Sequence, residues 1–314
     1  MAKQKKDIII ANPMYDVVFK HLMMADKDTA RYFVGTILSE EIIDINLDTQ
    51  EYTYKKEVKT PKNKSKKIKL IRLDFVATIR TKSGDEKKVL IELQQSFKPI
   101  DVFRFRTYLA KLYAAEENII KQEYFVQEGD MFSIAEKVID VRFIISIYIL
   151  GFVMDDLPHI VTRYNVTGTD VIDGGEVLSS QHLLLKGLTH EAYFVQIPRI
   201  EPERYSDWSK CSELLKLFSL FEQRNFVEKD RKFLKKFIYT LTENDKILKK
   251  MVKILERIGA DPYTMRVMEE QEFAAMNEEI WRYALAQRDS ALAALQNQLE
   301  EYQRKYGKLN GAPD

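Results

Sequence analysis

Asp74 and Glu92 are carboxylates set within two alternating apolar segments, Ile68 to Arg80 (IKLIRLDFVATIR) and Lys87 to Gln94 (KKVLIELQ). Both segments are rich in Val, Ile and Leu at period two and are predicted as strands. Lys82-Ser83-Gly84-Asp85 joins them as a turn, with Gly84 at the position needing positive φ. Glu92 and Gln94 are two apart, so they share one face while Ile91 and Leu93 take the other. A three-residue loop centred on Gly84 sets Asp74 opposite Gln94 and diagonal to Glu92, whereas a two- or four-residue loop sends Asp74 to the other face. Two carboxylates brought together repel unless a cation joins them. Mg²⁺ suits such a pair, because it takes one or two carboxylates and completes its shell with water and phosphate. The competing reading is a pair of surface acids neutralised by Lys87 or Lys88.

Other elements must position this hairpin. Asn12-Pro13 reads as a helix start, with Tyr15, Val18, Phe19, Leu22 and Met23 at helical spacing behind it. A second helix is expected from Asp28 to Leu38. Lys55 to Lys69 carries eight lysines and one acid, broken by Pro61, Asn63 and Ser65. It reads either as a solvated loop or as an arm, including Lys64, Lys66 and Lys67, that attracts phosphate. A helix is expected from Ile100 to Ile120, and Asp140 to Met154 has the unbroken apolar run of a strand buried on both faces. Further strands are predicted near Val161 to Asn165 and Glu191 to Ile197. From Tyr205 onward the pattern is helical: Trp208 to Phe221, Glu228 to Leu241, Asp245 to Ile258, and a long helix from Pro262. In that last helix Leu285, Leu292, Leu299 and Tyr306 repeat every seven residues, with Leu295 and Tyr302 between them, a short coiled-coil seam that predicts self-association.

Composition excludes several classes. The chain has 314 residues, 45% of them hydrophobic, and a net charge of +1, so whole-chain charge names no partner. Its single cysteine, Cys211, rules out an internal disulfide or a multi-cysteine metal centre. His182 and His190 have no acid at useful spacing and read as structural or surface residues, and Gln95 reads as structural. No apolar run is long enough to cross a membrane and the start is not a secretory signal, so a cytoplasmic protein is expected.

The ordered pieces NPMYDVVFKHLM, RLDFVA, the hairpin, IELQ and FRFRTYLAKLY resemble the PD-(D/E)XK nuclease superfamily. Within it they are similar to the PD-(D/E)XK transposases, or recombination-promoting nucleases. The resemblance covers roughly the first 120 residues and extends more weakly to about residue 225. It implies an α/β restriction-endonuclease-like core over 1–204, a mixed sheet flanked by helices, followed by a helical region over 205–314. It implies a Mg²⁺-dependent DNA endonuclease (Mn²⁺ as the alternative ion) of low sequence specificity, linked to recombination or mobile elements. Asp74 and Glu92 match the metal-binding acids, with the Leu93 carbonyl as a further ligand. Gln94 stands where the superfamily has Lys, and can hydrogen-bond the attacking water but brings no charge to it. Lys20, Lys98 or Arg104 is available to supply that charge.

Asp16 matches an acid of the family's first helix that reaches the metal. It also reads as a first-turn acid favoured by the helix dipole, pairing with Lys20 one turn on. Arg104 and Tyr108 match the family's Arg and Tyr and are candidates for DNA phosphate, with Arg104 alternatively a partner of the acids. The rival from another class is a catalytically silent scaffold that binds DNA or a protein and self-associates through its last helix.

Overall fold

The structure is a computed structural model and describes residues 7–48, 51–59, 64–72, 75–128, 131–172, 176–177, 182–201, 211–228, 230–237 and 245–307. It is a mixed α/β protein with two compact units, Met1–Asp261 and Pro262–Asp314.

The first unit opens with β1 (Asp7–Ala11), α1 (Asp16–Met24), α2 (Lys27–Leu38) and β2 (Ile42–Asp48). Next come β3 (Glu51–Lys59), β4 (Lys64–Arg72), β5 (Phe75–Thr81), β6 (Glu86–Gln94) and α3 (Pro99–Ala114). After these lie β7 (Ile119–Glu128), β8 (Met131–Val141), β9 (Phe143–Leu150), β10 (Val161–Tyr164), β11 (Gly168–Thr169) and β12 (Glu176–Val177). The unit closes with α4 (Leu183–Leu188), β13 (His190–Gln196), α5 (Glu213–Ser219), β14 (Phe226–Val227), β15 (Asp230–Phe237) and α6 (Lys246–Gly259). The second unit is one helix, α7 (Pro262–Tyr306).

The central sheet has the order β10-β13-β9-β6-β5-β2. β13, β9 and β6 run parallel, and β10, β5 and β2 pair antiparallel at the two sides. A parallel pair needs a long crossover, and α3 lies in the connection between β6 and β9. Tyr108 and Leu112 of α3 pack on Val76, Leu90 and Ile144 of the sheet. Phe75 belongs to an aromatic group on the opposite side of β5, where Phe19 of α1 stands edge-on to Phe33 of α2, to Phe75 and to Phe221. β9 is buried over nearly its whole length, as its apolar run predicts.

Several expectations need correction. The first helix begins at Asp16 rather than at Asn12-Pro13, because Asn12 is a buried anchor. Its amide donates to Gln223 Oε1 and to the Arg231 carbonyl, both at 2.7 Å, and its Oδ1 accepts from Met14 N. Over its described part the lysine-rich stretch is strand and not loop: β3 and β4 pair along their full length, with Lys64, Lys66 and Lys67 opposite Lys59, Glu57 and Lys56. Pro61 and Asn63, read as breaks in an arm, fall in the connection between these strands, outside the described residues. The expected strand from Ile68 to Arg80 is two strands, β4 and β5.

The β5–β6 turn has three loop residues as expected but is centred on Ser83, since Thr81 pairs with Asp85 and Gly84 N donates to the Thr81 carbonyl. Phe75 consequently faces Ile91, two residues from the expected register. α3 ends at Ala114, and β7 and β8 form a hairpin absent from the sequence reading. Glu228 to Leu241 is not helical over its described part: β15 pairs antiparallel with β1, placing Leu234 opposite Ile10. Phe233, Leu234 and Phe237 fit a helical stripe equally well, and the Ile8-Ile9-Ile10 edge decides between the two. With that pairing, and with α6 packed on β1 and α1, the first compact unit runs to Asp261.

Candidate active site

The site forms where β6 leaves the central sheet and α3 begins. Leu90, Glu92 and Gln94 alternate with Val89, Ile91 and Leu93 along β6, and Leu90 lies under Tyr108 of α3. Glu92 is 2% exposed. One of its oxygens, Oε1, has no hydrogen-bond partner among the described residues, and the other lies 4.0 Å from Arg104 Nη2. Burial pushes the Glu92 carboxyl up to about 8. The Arg104 and Lys20 cations pull it down without reversing the shift, while Asp16 and Asp101 push it further up. The structure thus brings together four expected residues, Asp16, Lys20, Glu92 and Arg104, from α1, β6 and α3.

Gln94 is buried and fully engaged through its amide nitrogen. Nε2 donates to the Ser96 carbonyl at 2.6 Å and to Asp101 Oδ2 at 2.8 Å, while Oε1 accepts from Arg104 Nη2 at 2.6 Å. Arg104 Nη1 also lies 3.4 Å from Asp101 Oδ1, closing a ring of three side chains. Asp101 was not foreseen. It is the third residue of α3, and its carboxylate accepts from Lys98 N at 3.2 Å, with Pro99 opening the helix. The run Lys98-Pro99-Ile100-Asp101 carries the signal for this: proline at the first helical position and an acid two later, which caps the helix N-terminus.

Asp16 opens α1 and is bridged by Lys20 at 2.8 Å, the intrahelical pair expected of them. This pair and proximity to Glu92 coexist, so the two readings of Asp16 are not exclusive. Leu93 lies between Glu92 and Gln94, in register with Ile149. Gln95 donates to the Met14 carbonyl at 2.6 Å and ties the end of β6 to the approach of α1. Tyr148 of β9 is the register partner of Glu92 and was also missed. Burial pushes its hydroxyl up to about 12, and the nearby Glu92 charge adds to this.

Tyr108 needs correction as a nucleic-acid contact: it is 0% exposed and packs in the core against Leu90 and Val76, so no phosphate reaches its ring. Asp74 lies outside the described residues. Among the described residues no three His, Cys, Asp or Glu side chains cluster as a metal site; Asp16 and Asp101 are the acids whose charges act on Glu92. A buried carboxylate with an unsatisfied oxygen fits a divalent ion, which replaces the missing partner and favours the charged form.

No family model matches the chain, and neither a curated protein nor a solved structure matches it significantly.

Proposed function

We propose that this protein is a metal-dependent DNA endonuclease of the PD-(D/E)XK kind, with Glu92 at the centre of its site. One observation carries the reading: a carboxylate 2% exposed, with one oxygen unsatisfied among the described residues, lies among two further acids and two cations. A structural acid so buried normally has a full set of partners, because an unpaired buried polar group costs about 1–3 kcal/mol. Glu92 and Asp74 would hold Mg²⁺ or Mn²⁺, with the Leu93 carbonyl and Asp16 beside them. The ion supplies a water acidified toward neutrality and neutralises charge on the phosphodiester. Lys20 and Arg104 would supply positive charge beside Glu92 in place of the superfamily's lysine. The nitrogen of Gln94 is occupied, so the role of this residue is to hold Arg104 and Asp101 in place, leaving one carbonyl lone pair for a water. Lys64, Lys66 and Lys67 sit on a strand rich in lysine and would approach the DNA backbone, a contact indifferent to sequence and weakened by salt.

The same occupied amide favours a second reading, a scaffold of this fold that binds DNA without cutting it. Incubation with supercoiled plasmid in Mg²⁺, Mn²⁺ or EDTA separates the two. Metal-dependent nicking by the wild type is expected, falling at least ~100-fold in Glu92→Gln and Asp74→Ala, the scale of removing one charge-stabilising group. Glu92→Gln keeps the side chain's shape and the neutral state that burial favours, so its fold is retained and its loss is chemical. Nicking that survives in both variants overturns the assignment, and binding without nicking in any lane establishes the scaffold.

A further inference from the structure

The helix α7 carries an apolar stripe open to solvent. Leu285, Leu292, Leu295, Leu299, Tyr302 and Tyr306 are between 46% and 68% exposed, and Trp281, which continues the same heptad, is 70% exposed. Monomeric proteins rarely leave so large an apolar face uncovered. A helix of 45 residues takes most of its stability from packing rather than from propensity. A coiled coil covers such a stripe, since positions three and four apart form one seam.

We infer that a second copy of this chain covers the stripe, packed antiparallel. Area and charge both point there. Trp281, Tyr302 and Tyr306 belong to a class that buries roughly 150–250 Å² each. Doubled across two copies and joined by four leucines, the stripe reaches the ~1,200 Å² of a specific interface. Between residues 281 and 306 the seam holds one charged residue, Arg288, 63% exposed and paired with Asp289 at 2.8 Å. A parallel dimer in register places Arg288 beside Arg288 of the second copy, two like charges in an apolar seam. An antiparallel dimer centred between Leu292 and Leu295 sets Arg288 against Leu299 of the second copy. The two guanidinium groups then stand about 16 Å apart along the axis, beyond the screening length at physiological salt. In the same register Trp281 meets Tyr306 and Leu285 meets Tyr302, and the two helix dipoles oppose each other favourably.

The inference is independent of the chemistry at Glu92, and the test uses the full chain. Light scattering behind size exclusion, over a wide concentration range, is expected to give a dimer for the wild type and a monomer for Leu292→Glu/Leu295→Glu. A nitroxide at Glu279→Cys, in a Cys211→Ser background that light scattering finds dimeric, reports orientation by dipolar spectroscopy. The antiparallel register separates the two labels by about 44 Å along the axis, whereas a parallel coil holds them within about 20 Å. A wild type that stays monomeric, a dimer that survives the glutamates, or a short distance overturns the inference.

Discussion

Replacing Gln94 with leucine removes three hydrogen bonds at once and leaves Arg104, Asp101 and the Ser96 carbonyl short of a partner. Each unsatisfied buried group costs about 1–3 kcal/mol, so Gln94→Leu is expected to lose ~3 kcal/mol in urea unfolding even though leucine is the more apolar residue. Lys236 of β15 makes the opposite kind of demonstration. Its ammonium donates to the Glu222 carbonyl at 2.7 Å, yet burial lowers its pKa from an ordinary 10.5 to about 8, against the pull of the Glu222 carboxylate. The folded state therefore disfavours the charged lysine, a penalty fully present below pH 8 and gone once pH passes 10.5. Stability from this group rises across that window by up to ~3 kcal/mol, and Lys236→Met lacks the rise. Thermal melts of both proteins from pH 7 to 10.5 are expected to show the wild type gaining on the variant. At this scale Glu92 was legible, because an acid in an apolar alternating run is conspicuous. Asp101 was overlooked because helix caps resemble ordinary surface acids, and Tyr148 because only the β6–β9 register brings it beside Glu92.

Elements were legible where one period dominates. β9, β13, α2 and α6 follow their apolar patterns to within a few residues. β15 did not, since its stripe satisfies two periods, and neither did the β3–β4 hairpin, whose alternation is masked by lysine. The turn after α2 allows a sharper statement. Ser39 adopts a left-handed conformation with φ 56°, and the chain doubles back so closely that a Cβ on Gly35 would stand 2.7 Å from the Glu40 carbonyl oxygen. Alanine is the better helix former by about 1 kcal/mol, but a backbone clash costs roughly 1–3 kcal/mol. Gly35→Ala is therefore expected to destabilise by up to about 2 kcal/mol in urea unfolding, the reverse of what propensity alone gives.

Across the whole molecule, the division between compact units at residue 261 does not coincide with the change of pattern near residue 205. A change from strands to helices near residue 205 looks like a domain edge, yet Phe218 and Phe221 complete the aromatic group around Phe33, and α6 packs against β1. No local pattern announces contacts between segments about two hundred residues apart. A chain ending at residue 204 is expected to lack fixed tertiary structure by near-ultraviolet circular dichroism and dispersed amide resonances, whereas one ending at residue 261 keeps both. The mixed sheet with flanking helices agrees with what the family resemblance implies, and the long last helix with its own strong local period. No helix among the described residues is long and apolar enough to cross a membrane.

The pairing of β1 with β15 also sets a timetable. Asp7–Ala11 is synthesised long before its partner, which ends at Phe237, 226 residues later (237 less 11). At about 5–20 residues per second the Ile8-Ile9-Ile10 strand waits roughly 10–45 s with its edge open. Nascent chains are therefore exposed to mispairing through this strand over that interval. Closing the unit must be a late event, and it sets when the Asn12 anchor, and with it the approach to α1 and Asp16, takes its final form.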